Sequence, residues 1–395
     1  MTGAFNDDLP QLVDDANDTM VDLRRDFHAH PELSFQEHRT TEVVRSRLVA
    51  LGWELRPCPT TTGAVAVLRG ARPGRRVMIR ADIDALPVVE ENRLAFASVT
   101  EGVMHACGHD VHTAGLLGVA DVLARRQGDL AGEFTVLFQP AEEGLGGAKA
   151  MIDGGVLIDN PVDFVIGAHV TSLAPVGFVG TRTGVLMSAV TAISVQLHGT
   201  GGHGAMATRE GNVILAVSDL APRLGEIVAG LSYEGTYCAC AAGIIKAGTA
   251  NNVVPRHAVL KGTLRTFTPE QQSIAWSRLS ELLDEVAATF SVTCSLEVNE
   301  RAPAVTNNAD VVARVMASAR SVVGDSGVVT VPPATPSDDV SEFLDRVPGC
   351  YVFIGGAVSD GWSGVHHSPD FLIDDGACRI VAGVLAQSAV DLAQL

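Results

Sequence analysis

The sequence predicts an α/β protein in which a domain with a mostly parallel sheet and flanking helices is interrupted by a smaller α+β domain. Three observations lead there. Up to residue 187, short apolar runs alternate with helical patterns, as the strands and crossover helices of a parallel sheet do. From 188 to 302 the strands alternate apolar and polar residues, the mark of an antiparallel sheet with one face in water. From 303 to 395 the first texture returns, so 1–187 and 303–395 are read as two parts of one domain and 188–302 as an insert. A chain of 395 residues is long enough for two or three domains with sizeable cores.

The elements follow in order. Leu12, Val13, Met20, Leu23 and Phe27 recur at helical spacing until Pro31 breaks the run, and Val43, Val44 and Leu48 mark a second helix. GAVAVLRG (63–70) and RRVMIRADID (75–84) read as strands joined by a turn at Arg72-Pro73-Gly74. A helix is expected from His112 to Arg126, then the strand EFTVLFQPAEE, a helical stretch from Gly146 to Asp153 and the strand DFVIGAHV. In the insert, TAISVQLHG is a half-buried strand, 212–231 is helical, YCACAAGIIKAG and HAVLKGTLRTF are β-rich, and a helix runs from Glu270 to Thr289. A helix from Asn308 to Val323, the strand CYVFIGGA and a last helix to Leu395 complete the first domain.

Composition excludes several classes. Apolar residues at 47% against 19% charged describe a folded chain, not a disordered one. Twenty-eight basic against 46 acidic side chains leave a net charge of −18, which repels phosphate backbones and anionic membranes, so no nucleic-acid or membrane partner is expected. No apolar stretch approaches the ~18 residues of a membrane span. MTGAFNDDLP carries neither a basic n-region nor an apolar h-region, so a cytoplasmic protein is expected. The seven cysteines are scattered and odd in number, which argues against a disulfide framework.

Histidine placement is the most informative feature. MHACGHDVH packs His105, Cys107, His109, Asp110 and His112 together at a helix start, and thiolate with imidazole favours zinc or its first-row neighbours over magnesium or calcium. Glu142-Glu143 follows the strand through Gln139, where open α/β sheets place their ligands. Beside a metal, such a pair divides its labour: one carboxylate coordinates and the other serves as general base. His169 ends another strand, and His366-His367 follows CYVFIGGA. Cys107 with His109 also suits a thiol protease, but that mechanism leaves Glu142-Glu143 without a role.

RRDFHAHPELSFQEHRT, RADIDALP, MHACGHDVH, LFQPAEEGLGGAKAMIDGGV, GAHV, GGHGAM, GTANNVVP, GTLRTF and HHSPDF occur in that order between Asp22 and Asp375. Together they resemble the M20 metallopeptidase family, in particular its amidohydrolase branch of hippurate, N-acyl-amino-acid and auxin-conjugate hydrolases. The resemblance implies Cys107, His109, Glu143, His169 and His367 as ligands of two divalent transition-metal ions (manganese, zinc, nickel or cobalt), with Cys107 between them and Glu142 as base. It implies a catalytic domain interrupted by a lid through which subunits form a homodimer. His203 of the lid resembles the residue that reaches the active site to stabilise an oxyanion, often that of the partner subunit. Asn252 and Arg265 fall in motifs associated with the substrate carboxylate, and Asp82, Asp84 and Asp110 are expected behind the ligands, orienting them. The activity implied is cleavage of N-acyl or N-aroyl amino acids to a carboxylic acid and a free amino acid, the alternative being a dipeptidase or aminopeptidase of the wider family. Four departures stand out: Asp82 two residues before Asp84, where other M20 peptidases have histidine; Ala207-Thr208, where the branch usually has Pro-His; Ser337-Asp338-Asp339 in place of a Glu-Asp pair; and His366, where an apolar residue is more common.

Overall fold

The computed structural model describes residues 3–144, 146–359 and 361–395. The chain divides into two compact units: Met1–Gly184, Thr306–Val331 and Asp339–Leu395 form one, and Val185–Val305 with Pro332–Asp338 form the other.

The first unit is built on an eight-stranded sheet. In spatial order its strands are Glu54–Arg56, Ala64–Arg69, Ala131–Gln139, Arg72–Asp82, Phe164–Pro175, Gly349–Ala357, Val179–Thr181 and Val328–Thr330. The four central strands run parallel, and antiparallel pairing is confined to strands on either side of them. This is the α/β class the alternating texture predicts. Helices Gly3–Ala29, His109–Arg125 and Ala377–Ala393 pack together, and their Met20, Leu116, Leu123, Val381 and Leu385 join sheet residues Val77, Ile79, Ile166 and Val352 in one aliphatic core. Parallel neighbours bring their carboxyl ends to the same edge of the sheet. Asp82 pairs in register with Gln139 at the ends of their strands. His169, expected to end its strand, instead lies within Phe164–Pro175, because pairing with the parallel strand Gly349–Ala357 continues past His169↔Phe353.

Two expectations fail here. Ala64–Arg69 and Arg72–Asp82 are not a hairpin, because Ala131–Gln139 lies between them. Pro73 and Gly74 lie at a bulge instead of a turn, where the register jumps from Arg72↔Ala131 to Arg76↔Glu133. Pro-Gly marks both kinds of interruption, and only the partner strand distinguishes them. The helix expected from His112 begins at His109, since Gly108 adopts the left-handed conformation that starts it early.

In the second unit a four-stranded antiparallel sheet has the order Ala239–Ala247, His257–Thr266, Ala189–His198, Thr293–Ala302. Ile193, Val195 and Leu197 face a core shared with Val217 and Leu220 of helix Val213–Arg223 and with Leu279 and Val286 of helix Pro269–Phe290. Thr268 and Gln271 cap the longer helix reciprocally. Asn212 caps the shorter one by accepting from the N–H groups of Ile214 and Leu215. The single helix expected over 212–231 stops at Arg223, after Pro222 has removed a donor, and a 3-10 turn Leu224–Val228 continues it.

Candidate metal centre

A buried framework holds the sheet edge before any ligand is considered. Arg80 is fully buried and donates to Gln139 Oε1 (2.9 Å), Asp82 Oδ2 (2.7 Å) and Asp339 Oδ1 (3.0 Å). Asp339 also accepts from Gln139 Nε2 and from the N–H of Ala148, tying the strand ends to the helix Gly147–Asp153. Such a network is costly to bury and strongly destabilising to break, so it fixes the ends of adjacent strands.

Asp84 positions the acidic pair. Its Oδ1 and Oδ2 accept from the N–H groups of Glu142 (3.0 Å) and Glu143 (3.1 Å), and Ser34 Oγ donates to it at 2.6 Å. Glu37 accepts from the N–H of Ala141, a left-handed alanine with φ of 55°. Backbone strain next to two aligned carboxylates is tolerated because the buried Glu37 pins it.

The histidine tautomers are set by backbone partners. His109 Nδ1 lies 2.8 Å from the carbonyl of Asp84 and His169 Nδ1 2.7 Å from that of Val170, so each donates there and leaves Nε2 as the nitrogen for a metal. His112 Nε2 accepts from the N–H of Val170, leaving its Nδ1–H to bond Asp82 at 2.5 Å. Both its nitrogens are committed, so His112 orients Asp82 and is no ligand. His109 Nε2 is buried with no hydrogen-bond partner, 3.9 Å from both Glu142 and Glu143.

Two donor sets share one sulfur. The ligand atoms of Cys107, His109 and His169 lie within 4.8 Å of one another, and so do those of Cys107, Glu143 and His367. Glu142 belongs to neither set; its ligand atom groups with those of His109 and Glu143. Cys107 and His109 are buried and Glu143 half-buried, whereas His367, with φ of 68°, is held at the rim by its N–H bond to the carbonyl of Ala106. The donors are chemically those of a transition-metal site, and the orphaned His109 Nε2 is the atom such an ion would satisfy.

Electrostatics agree with a cation-binding role. Burial works against charge on His109, yet Asp82, Asp84 and Glu143 outweigh it and hold the imidazole at about 10. Burial and the carboxylates of Glu143, Glu142 and Asp82 push the Cys107 thiol well up. Burial lowers His169, and burial with the neighbouring imidazoles lowers His366 to about 4. The protein's own groups thus leave an excess of negative potential at the sulfur, which bound cations would reverse.

Asp110 lies behind this loop, between Arg24 Nε at 2.9 Å and His28 Nδ1 at 2.8 Å, and Glu90 takes the other nitrogen of His28. His105 is buried, lowered to about 4 by desolvation, and has no hydrogen-bond partner. In the second unit, His203 on strand Gly202–His203 pairs with Val253, and the Asn252 carbonyl accepts from the N–H of Gly204, so His203 and Asn252 form one exposed corner. His203 Nδ1 accepts from the N–H of Ala205, which places the neutral ring's proton on Nε2. Arg265 donates to Ser337 Oγ at 2.9 Å.

Sequence reasoning missed Glu37, Ser34, Gln139, Arg80 and Asp339 as positioning groups. Ser34 and Glu37 lie inside RRDFHAHPELSFQEHRT, Arg80 inside RADIDALP and Gln139 inside LFQPAEEGLGGAKAMIDGGV, and membership in these motifs was the available signal.

Gly108 is required where it stands. Its φ is 86°, and a Cβ there would lie 2.4 Å from Val170 Cγ2. Gly108→Ala is expected to cost about 1–2 kcal/mol in left-handed backbone plus about 1–3 kcal/mol of overpacking, visible as a lower thermal midpoint together with weaker metal binding.

A thiol, imidazoles and carboxylates gathered at the carboxyl ends of a parallel sheet define a metal-dependent hydrolase. The chain belongs to peptidase family M20/M25/M40, whose model matches residues 78–391, and it is a hydrolase of amide C–N bonds. It is 35% identical over 385 residues to thermostable carboxypeptidase 1 of Saccharolobus solfataricus, covering 96% of each protein. It is 35% identical over 370 residues to N-acetyl-L-cysteine deacetylase of Bacillus subtilis, covering 94% of this chain and 87% of the relative. A solved Bacillus subtilis structure, described as a dinuclear metal-binding peptidase of the M20 family, superposes with a TM-score of 0.80 at 30% identity, covering 95% of this chain and 98% of that one.

Proposed function

We propose that the protein hydrolyses the amide bond of N-acyl or N-aroyl amino acids, using two divalent ions held by Cys107, His109, Glu143, His169 and His367. The observation that carries this reading is the sharing of Cys107 by two donor sets that both leave out Glu142. Bound there, manganese, zinc, nickel or cobalt supplies Lewis acidity that acidifies water and polarises an amide carbonyl. Glu142 takes the proton of the attacking water and returns it to the departing amide nitrogen. Asp84 keeps Glu142 and Glu143 in their separate roles by holding both backbone N–H groups. The second unit acts as the lid, and its His203 donates from Nε2 to the oxyanion.

A deacetylase of N-acetylcysteine and a carboxypeptidase both release an amino acid with a free carboxylate, and that shared end is the one assigned here to Asn252 and Arg265. The lid is also the dimerisation surface. Edge strand Ala239–Ala247 exposes Ile244 and Ile245, and helix Val213–Arg223 exposes Ile214 and Leu215, an unprotected sheet edge that a second copy would cover. No helix among the described residues is long and apolar enough to cross a membrane, and a cytoplasmic homodimer is proposed.

A substrate panel tests the reading. N-acetyl and N-benzoyl amino acids are expected to be turned over, their carboxamides to lose most of kcat/KM, and free dipeptides to be poor substrates. Preference for free dipeptides would replace this reading with a dipeptidase.

A further inference from the structure

His366 touches the metal centre without belonging to either donor set. Its Nδ1 lies 3.8 Å from Cys107 Sγ, and its ring packs against His169 at 5.4 Å and Phe371 at 4.8 Å between centroids. His169 Nε2 is nearer the sulfur, at 3.5 Å, but its ring has spent its proton on the carbonyl of Val170, so it offers the sulfur no N–H. Of the two imidazoles against Cys107, His366 is the one that can donate. It is absent from every group of three or more ligand atoms within 4.8 Å among the described residues. Its place is fixed from both sides. The next residue, His367, bonds the carbonyl of Ala106, one residue before Cys107, and Ser172 Oγ donates to the carbonyl of Gly364 at 2.8 Å.

We propose that His366 is a positioning residue that donates its Nδ1–H to the Cys107 thiolate and thereby sets how strongly that sulfur binds its metals. The inference rests on the metal reading of the site. The Cys107 ligand atom lies within 4.8 Å of that of Glu143, and an N–H donor offsets the charge a thiolate would carry beside that carboxylate. A donor to a ligating sulfur draws density from its lone pairs, lowering the energy of the sulfur orbitals and weakening metal–sulfur covalency. An apolar residue at 366 would leave the same five ligands with a more electron-rich thiolate and a less well compensated one.

Cobalt-substituted protein tests this, because the sulfur-to-cobalt charge-transfer band reports the thiolate directly. His366→Leu is expected to move that band to lower energy, with two ions still bound at saturation. Asn places its amide nitrogen close to where His has Nδ1, so His366→Asn is expected to restore the band. Circular dichroism melts of both variants check that folding is retained. An unmoved band in His366→Leu would overturn the inference while leaving the metal reading intact. Loss of one ion per chain at saturation would also overturn it, making His366 a ligand. Absence of any sulfur-to-cobalt band in the native protein would overturn both.

Discussion

Replacing Glu142 with Gln is expected to lower kcat on an N-acyl amino acid by about 10²- to 10⁴-fold, the contribution typical of a general base, while the protein keeps both metal ions and its thermal midpoint. The expectation follows from the division between neighbours. Glu143 shares a donor set with Cys107 and His367, whereas Glu142 belongs to neither set containing the sulfur. Both residues hang from Asp84 through their backbone N–H groups, so the substitution leaves their positions anchored. Gln keeps the shape and loses the basic oxygen, hence the chemical step suffers and binding does not. Glu143→Gln should show the opposite pattern, with metal content falling alongside activity. Metal analysis and steady-state kinetics on both variants decide it, and equal metal loss in the two would contradict the assignment.

His203→Ala is expected to depress kcat by about 10²- to 10³-fold, the usual loss when an oxyanion donor is removed, without changing metal content. His203 is exposed on a glycine-flanked corner, and the N–H of Ala205 holds its Nδ1, which leaves Nε2 as the donor. If the residue serves a partner's site, inactive His203→Ala and inactive Glu142→Ala subunits should complement one another, since a mixed dimer has one complete site. Activity regained on mixing, scaled to the fraction of mixed dimer, is the expected result. No recovery despite verified subunit exchange would place His203 in its own chain's site or outside catalysis.

The α/β class was legible because parallel strands buried on both faces read as continuous apolar runs, and the insert showed itself by switching to alternation. Strand neighbours were not legible. Nothing local reveals that Ala131–Gln139 inserts between Ala64–Arg69 and Arg72–Asp82, because that choice depends on packing far along the chain. Cys107, His109, Glu142, Glu143, His169 and His367 could be named because their motifs resemble those of the M20 family, and the structure brings their ligand atoms into overlapping groups. What escaped were residues whose effect is indirect. Glu37 bonds a left-handed Ala141 more than a hundred positions away, and Arg80 binds Asp339 across 259 residues. Such partners carry no sequence spacing of their own. His112 was grouped with the ligand-forming residues by its motif, and only the N–H of Val170 and the carboxylate of Asp82 show that both its nitrogens are occupied.

The proposed activity depends on Cys107 joining two donor sets into one dinuclear hydrolytic centre. Metal-depleted protein titrated with manganese, zinc, nickel or cobalt, followed by calorimetry and by hydrolysis of an N-acetyl amino acid in the same samples, tests it most directly. Two equivalents bound per chain, activity that rises with occupancy, and loss of both in Cys107→Ser are expected. Full hydrolysis by native protein in saturating chelator, with no metal retained, would contradict it.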